Sequence, residues 1–202
     1  MHKIGLHLWR PHPFVLLLKI PATMLSLILV VNARGQDGTR PSEPQSLSVL
    51  YYLDATTKLI PLESQHVRRK QKLHSVGFAG GEMMYAMDGQ KSPLRLKATD
   101  KSNFVVRLKA GLDPVEAVQL FHIDVVDGSR VVPIENFNAL GRATKVTVTH
   151  TVIDFNAAIY GASSFKLVPL HALAAGEYCF LMKAGNQWPR EVPGFCFGID
   201  EP

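Results

Sequence analysis

The sequence predicts an all-β domain, an antiparallel β-sandwich, carried behind an N-terminal signal peptide. Three observations predict it. Apolar residues in the body of the chain recur with a period of two rather than 3.6. Turn residues punctuate those runs at short, fairly regular intervals. The first acidic residue is Asp37, and Lys3, Arg10, Lys19 and an apolar run from Ile20 to Val31 precede it.

The leader follows from simple physics. Positive charge resists crossing a bilayer, and an apolar core partitions into it. A basic front, a short apolar core and small residues behind it make a cleavable export leader. Val31-Asn32-Ala33 puts small residues at −3 and −1 of a cut after Ala33, and Ala33-Arg34-Gly35 offers a second cut before Gln36. The alternative is an uncleaved anchor. Phe14 to Val31 spans 18 residues, but Lys19 and Pro21 interrupt it, and a span needs about 20 apolar residues. No Cys follows the apolar core, which argues against a lipoprotein. The expected organisation is a signal peptide over 1–33, a flexible linker over 34–46 and a sandwich domain over 47–202. The linker reading rests on the polar, Gly-, Pro- and Ser-rich stretch from Gly35 to Gln45.

The elements then follow in order. Ser48–Leu53 and Lys58–Leu62 flank Asp54-Ala55-Thr56-Thr57, a hairpin turn. The basic stretch His66–His74 is compatible with a helix. Glu82–Met87 reads as a strand ending at the turn Asp88-Gly89. Asn103–Lys109 alternates, with Phe104, Val106 and Leu108 on one face. Pro114–Gln119 has room for one or two helical turns. Gln119–Val126 alternates with Phe121, Ile123 and Val125 together, and Asp127-Gly128 turns the chain into Arg130–Ile134. Thr144–Phe155 is a long β-branched run. Phe165 and Leu167 mark a further strand, and Glu177–Lys183 and Gly194–Ile199 complete the set. Nine to eleven short strands imply a sandwich in preference to a closed barrel.

Near the end stands Leu173-Ala174-Ala175-Gly176-Glu177-Tyr178-Cys179-Phe180. Leu173, Gly176 and Tyr178, with the Tyr entering a strand, resemble the tyrosine corner of immunoglobulin-like sandwiches, in which the hydroxyl returns to an upstream backbone group. The chain is in this respect similar to exported bacterial immunoglobulin-like β-sandwich proteins of uncharacterised function. The resemblance covers about eight residues and implies a fold, not an activity. It departs at one point. The position two after the Tyr, where antibody-type domains carry a Cys, is Phe180, so their inter-sheet disulfide does not carry over.

Cys179 and Cys196 are the only cysteines. An exported chain meets an oxidising compartment, so an even pair is a disulfide candidate. Each lies on the face opposite its strand's aromatic pair, Tyr178 with Phe180 and Phe195 with Phe197, so the sulfurs can meet across the ladder if the strands are neighbours. Arg68, Arg69, Lys70 and Lys72, between His66 and His74, are the candidate contacts for anionic lipid headgroups, cell-wall polymers or acidic sugars. His122, Asp124, His150 and Asp154 assemble a divalent-metal site only if their strands pair, and nothing in the sequence sets that register, so no metal and no cofactor is implied. Trp188-Pro189-Arg190 offers an aromatic loop contact.

Catalytic patterns are missing from the sequence. Gly161-Ala162-Ser163-Ser164 does not fit a nucleophile elbow, no His-Glu-x-x-His occurs, and Gly77–Gly81 lacks a Lys-Ser/Thr partner. The whole chain carries +5, from 22 basic and 17 acidic residues. Without 1–33 the balance is 19 basic against 17 acidic, or +2, which argues against nucleic acid. The expected function is a non-catalytic binding or structural module of the cell envelope, periplasmic or extracellular. Its partner would be an envelope protein or a polysaccharide, and it would touch the membrane only through an uncleaved leader. The alternative is a small secreted hydrolase whose site leaves no sequence motif.

Overall fold

The structure is a computed structural model that describes residues 41–73, 80–138, 140, 143–144, 152–183 and 189–202. The leader, the linker as far as residue 40, His74, Gly77, His150 and Trp188 lie outside the described residues, as do 145–151 of the expected β-branched strand.

In chain order the elements are β1 (Leu50–Leu53), β2 (Leu59–Pro61), β3 (Glu63–Leu73), β4 (Gly81–Met87), β5 (Arg95–Lys97), β6 (Phe104–Arg107), α1 (Pro114–Ala117), β7 (Val118–Val126), β8 (Ser129–Phe137), β9 (Ala143–Thr144), β10 (Val152–Ile153), β11 (Phe155–Tyr160), β12 (Ser164–Pro169), β13 (Gly176–Met182) and β14 (Glu191–Asp200). Two sheets form the sandwich. The smaller runs β11-β12-β6-β1-β2, and the larger runs β10-β7-β13-β14-β3-β4-β8-β9, with β5 parallel to the end of β14.

The larger sheet also curls back on itself. β7 pairs with β13, and its far end pairs with β8 through Asp124↔Val131, Val125↔Arg130 and Val126↔Ser129. The strands β7, β13, β14, β3, β4 and β8 therefore close a six-membered ring. The sandwich is present as expected, and one of its layers is itself a small barrel.

Closure produces two cores. Leu50, Phe104, Val106, Leu167, Tyr178, Phe180, Phe195 and Phe197 fill the space between the sheets. Val67, Tyr85, Met87, Phe121, Ile123, Cys179, Leu181 and Cys196 fill the ring. Because side chains alternate along a strand, β13 and β14 feed both. Tyr178 and Phe180 go one way, and Cys179 and Leu181 the other. Burial on both faces is why Glu177–Leu181 is buried at every position. In the inter-sheet core, Phe104 meets Phe180 at 5.0 Å and Phe197 at 4.7 Å between ring centroids, inside the favourable range for aromatic pairs.

Cys179 and Cys196 are in direct register, with Tyr178↔Phe197 and Phe180↔Phe195 on either side. Their Cα atoms are 4.0 Å apart and the sulfurs are at bonding distance. The Tyr178 hydroxyl donates to the Ala174 carbonyl oxygen at 2.8 Å, and Leu173 packs into the inter-sheet core. Gly176 has to lack a side chain, since a Cβ there would come within 2.8 Å of His122 Nε2.

Turns form where local chemistry demands. The Asp54 carboxylate accepts from Thr56 N and Lys58 N, both at 2.8 Å, which closes the β1–β2 hairpin as an Asx turn. Asp127 (φ 51°) and Gly128 (φ 79°) join β7 to β8, the pair of positive φ values that matches strand twist in a two-residue hairpin. α1 is one turn, started by Pro114 and capped by Asp113, which accepts from Val115 N at 2.9 Å.

Two readings need correction. His66–Leu73 is strand, not helix. Its Arg, Lys and Gln residues favour helix weakly, but ladders with β14 and β4 satisfy the backbone on both sides, and such tertiary pairing outweighs propensity. The β-branched strand expected to end at Phe155 instead changes sheet. β10 pairs with β7, Asp154 interrupts, and β11 pairs with β12 along its whole length.

Candidate functional site

The two ends of the ring differ. One end is sealed by ions. Glu63, Gln65 and Val67 alternate toward the ring interior from β3, and Glu177 does so from β13. Arg130, fully buried, donates to Glu63 at 2.7 and 2.9 Å and to the carbonyls of Asp88 and Gly89 at 2.8 and 3.2 Å. Glu177 lies 3.8 Å from Arg130, accepts from Ser92 N at 2.8 Å and is paired with Arg95, which also holds Asp200 at 2.7 Å. A side chain on Gly198 would overlap the Arg95 guanidinium. Burial opposes ionisation of Glu63, but the hydrogen bonds led by Arg130 outweigh it and hold the carboxyl below its ordinary range. These carboxylates are committed to arginines, so the cluster acts as a plug rather than as acid–base machinery.

Among the described residues, the other end opens. Beyond Val131, β8 leaves β7, helped by a register shift opposite Met83 and Met84, while β7 takes Val152 of β10 as partner to Phe121. The wedge between them holds a cavity of about 140 Å³ lined by Tyr85, Gln119, Phe121, Val132, Ile134 and Val152. The Tyr85 hydroxyl donates to the Pro189 carbonyl.

Strand geometry divides the basic run. Arg68, Lys70 and Lys72 point outward and are exposed, while Arg69 shares the ring-interior side with Val67 and lies in register with Tyr85. Arg68 pairs with Glu191 at 3.3 Å, and Lys72 stands opposite Glu82. Exposed pairs of this kind contribute little to stability. The outer face is thus a stripe of three cations flanked by carboxylates, not a patch of four.

His122 stacks edge-on against Tyr178 at 5.2 Å, Asp124 is exposed, and Asp154 marks the sheet change. Among the described residues no group of three or more His, Cys, Asp or Glu is placed to hold a metal. Gly161-Ala162-Ser163-Ser164 is the turn joining β11 to β12. It grips the Glu43 carboxylate through Ala162 N (2.7 Å), Ser163 N (3.0 Å) and the Ser164 hydroxyl (2.7 Å). These bonds, led by Ala162 N, lower Glu43 to about 2. The described end of the expected linker is therefore fastened to the sandwich, which composition did not reveal.

The edge of the smaller sheet is the remaining feature. Among the described residues no strand pairs with the outer side of β11, although α1 stands beside part of it. β11 reads Phe-Asn-Ala-Ala-Ile-Tyr, without charge or Pro, and Ile159 is 82% exposed. A cavity of about 280 Å³ separates Ile159 from Leu108, Leu112 and Phe165, and a second of about 450 Å³ runs from Leu112 to Ala117, Met182 and Pro193. The opposite edge, β2, is three residues long and ends in Pro61.

No protein-family model and no curated protein matches this chain.

Proposed function

We propose that the protein is an exported, non-catalytic binding module of the cell envelope, related to immunoglobulin-like sandwiches, that holds a protein partner along β11. The observation that carries this is the edge itself. Sheet edges are ordinarily blunted by Lys, Pro or brevity, as β2 is, and β11 has none of these. A strand added there gains main-chain hydrogen bonds, and the cavities beside Ile159 and Leu112 receive its side chains. The Cys179–Cys196 pair supports an oxidising compartment, and the basic N-terminal segment with its apolar run supports export. The Tyr178–Ala174 bond supports the immunoglobulin-like relation.

A photo-crosslinking residue at Ile159, in intact cells, tests the reading. The expected result is a discrete adduct with an envelope protein that disappears when Ala157 and Ala158 carry Lys. An equal adduct from a crosslinker at Lys101, away from the edge, would refute it.

A further inference from the structure

The ladder between β11 and β12 sets which way each backbone group of the edge strand points. Leu170 N donates to the Asp154 carbonyl oxygen at 3.0 Å, and the register puts Phe155 opposite Pro169, which has no N–H to give. Hydrogen-bonded and non-hydrogen-bonded positions alternate along an antiparallel pair. Asn156, Ala158 and Tyr160 therefore turn their N–H and C=O groups toward β12, and Phe155, Ala157 and Ile159 turn theirs outward. Among the described residues no strand takes those outward groups up.

The three outward positions are symmetric about Ala157. In an antiparallel pairing of β11 with a copy of itself, centred there, Phe155 falls opposite Ile159, Ala157 opposite Ala157 and Ile159 opposite Phe155. Every outward group of both strands then has a partner, and no other register achieves that. The side chains agree with the backbone. Phe155 and Ala157 pack toward the inter-sheet core, and alternation puts Ile159 on the same face. Ile159 is 82% exposed beside the cavity it shares with Leu108, Leu112 and Phe165, and Phe155 of a second copy would lie against it. Ala157 and Ala158 keep the centre of the contact small. β11 carries no charge, and Asp154, the residue before it, falls opposite Tyr160 of the second copy rather than opposite another carboxylate.

We propose that β11 pairs with β11 of a second copy of this chain, across a two-fold axis at Ala157, so that the two smaller sheets join into one. The inference rests on the β11 reading above and names its partner. A contact of this kind is isologous and closes on itself, and the far edge of the joined sheet is the short, Pro61-ended β2, which does not invite further growth. Exposed Leu112 and Val115, close to β11, widen the contact. Six strand residues a side with these two fall short of the roughly 20–30 a side of a stable interface, so the dimer is weak and reversible.

Sedimentation velocity and amide hydrogen exchange on the purified protein test this. The dimer fraction should rise between about 10 µM and about 1 mM, the range of a weak contact. Over the same range the amides of Phe155, Ala157 and Ile159 should slow several-fold, while those of Asn156 and Ala158, already bonded to β12, should not change. Ala158 is exposed on the outer face, and the two copies of it are diagonal neighbours across the axis. A158K alone and A158E alone should each weaken the dimer about fivefold at unchanged Tm, and an equal mixture of the two should restore it. A monomer at every concentration with the three amides open overturns the proposal; the wider β11 reading then still stands if the crosslinker at Ile159 captures a different protein in cells. A monomer with the three amides protected at every concentration overturns both, because the chain's own residues then cover the edge. A dimer that leaves those amides unchanged, or that both variants leave intact, also overturns the proposal.

Discussion

Arg130 is the fully buried cation that closes one end of the ring, and replacing it by Met isolates what it contributes. Its guanidinium satisfies both oxygens of Glu63, reaches Glu177 and caps two carbonyls at the end of β4. Met fills similar space and leaves Glu63 and Glu177, whose side chains are 14% and 8% exposed, without that charge. Breaking a buried pair by removing one partner costs about 3–5 kcal/mol, a large part of the roughly 5–15 kcal/mol that holds a domain together. Glu177 keeps Arg95, so most of the loss falls on Glu63. Urea unfolding at pH 7 should show a loss of about 3 kcal/mol, and R130M/E63Q should recover part of it. The pH dependence has a definite sign. In the native protein the Glu63 carboxyl lies below its unfolded value, so its contribution is present above the unfolded value and is lost as pH falls through the folded one. Without Arg130, burial raises that carboxyl instead, and protonation relieves the variant. The gap between the two proteins should narrow from pH 7 toward pH 4. A loss below about 1 kcal/mol, or a gap that widens on acidification, would show that the plug does not hold the ring.

Further outcomes follow from the same contacts. Reducing the Cys179–Cys196 bridge, at a sequence separation of 17, should lower stability by about 3 kcal/mol on loop-entropy grounds; urea midpoints with and without reductant measure it, and C179A/C196A should be insensitive to reductant. Tyr178→Phe removes the bond to Ala174 and should cost about 1 kcal/mol, read as a fall in Tm with unchanged near-ultraviolet ellipticity from the remaining aromatics. Glu43→Gln should loosen residues 41–46, seen as faster proteolysis there. In the native chain Glu43, at about 2, keeps its charge well below the ordinary carboxylate range, so protection should persist as pH falls and fade only near pH 2.

Residues whose partners are set by alternation alone were legible in the sequence. Cys179 and Cys196 each oppose an aromatic pair, a pattern that lets the two sulfurs meet once the strands are adjacent, and the observed register puts them directly opposite. The Asp127-Gly128 turn and the α1 start were equally local. What was not legible depends on distant pairing. Ring closure needs β4 beside β8, which no local pattern announces. Arg130 reads as an ordinary polar strand residue because its partner Glu63 is 67 positions away. β3 carries five polar or charged residues after Val67, from Arg68 to Lys72, so propensity pointed toward helix until two ladders were in view. The cavity arises where β8 departs from β7, a splay that a one-dimensional pattern does not contain.

The placing of β13 and β14 has a temporal consequence. They stand at the middle of the larger sheet, between β7 and β3, and contribute to both cores, yet they are the last strands of the chain. Neither interior can close while Gly176–Asp200 is absent. Before they form, β7 and β3 each lack a neighbour in the larger sheet. Commitment to the folded state then waits for the hairpin that carries Cys179 and Cys196. Long-range closure of this kind is slow.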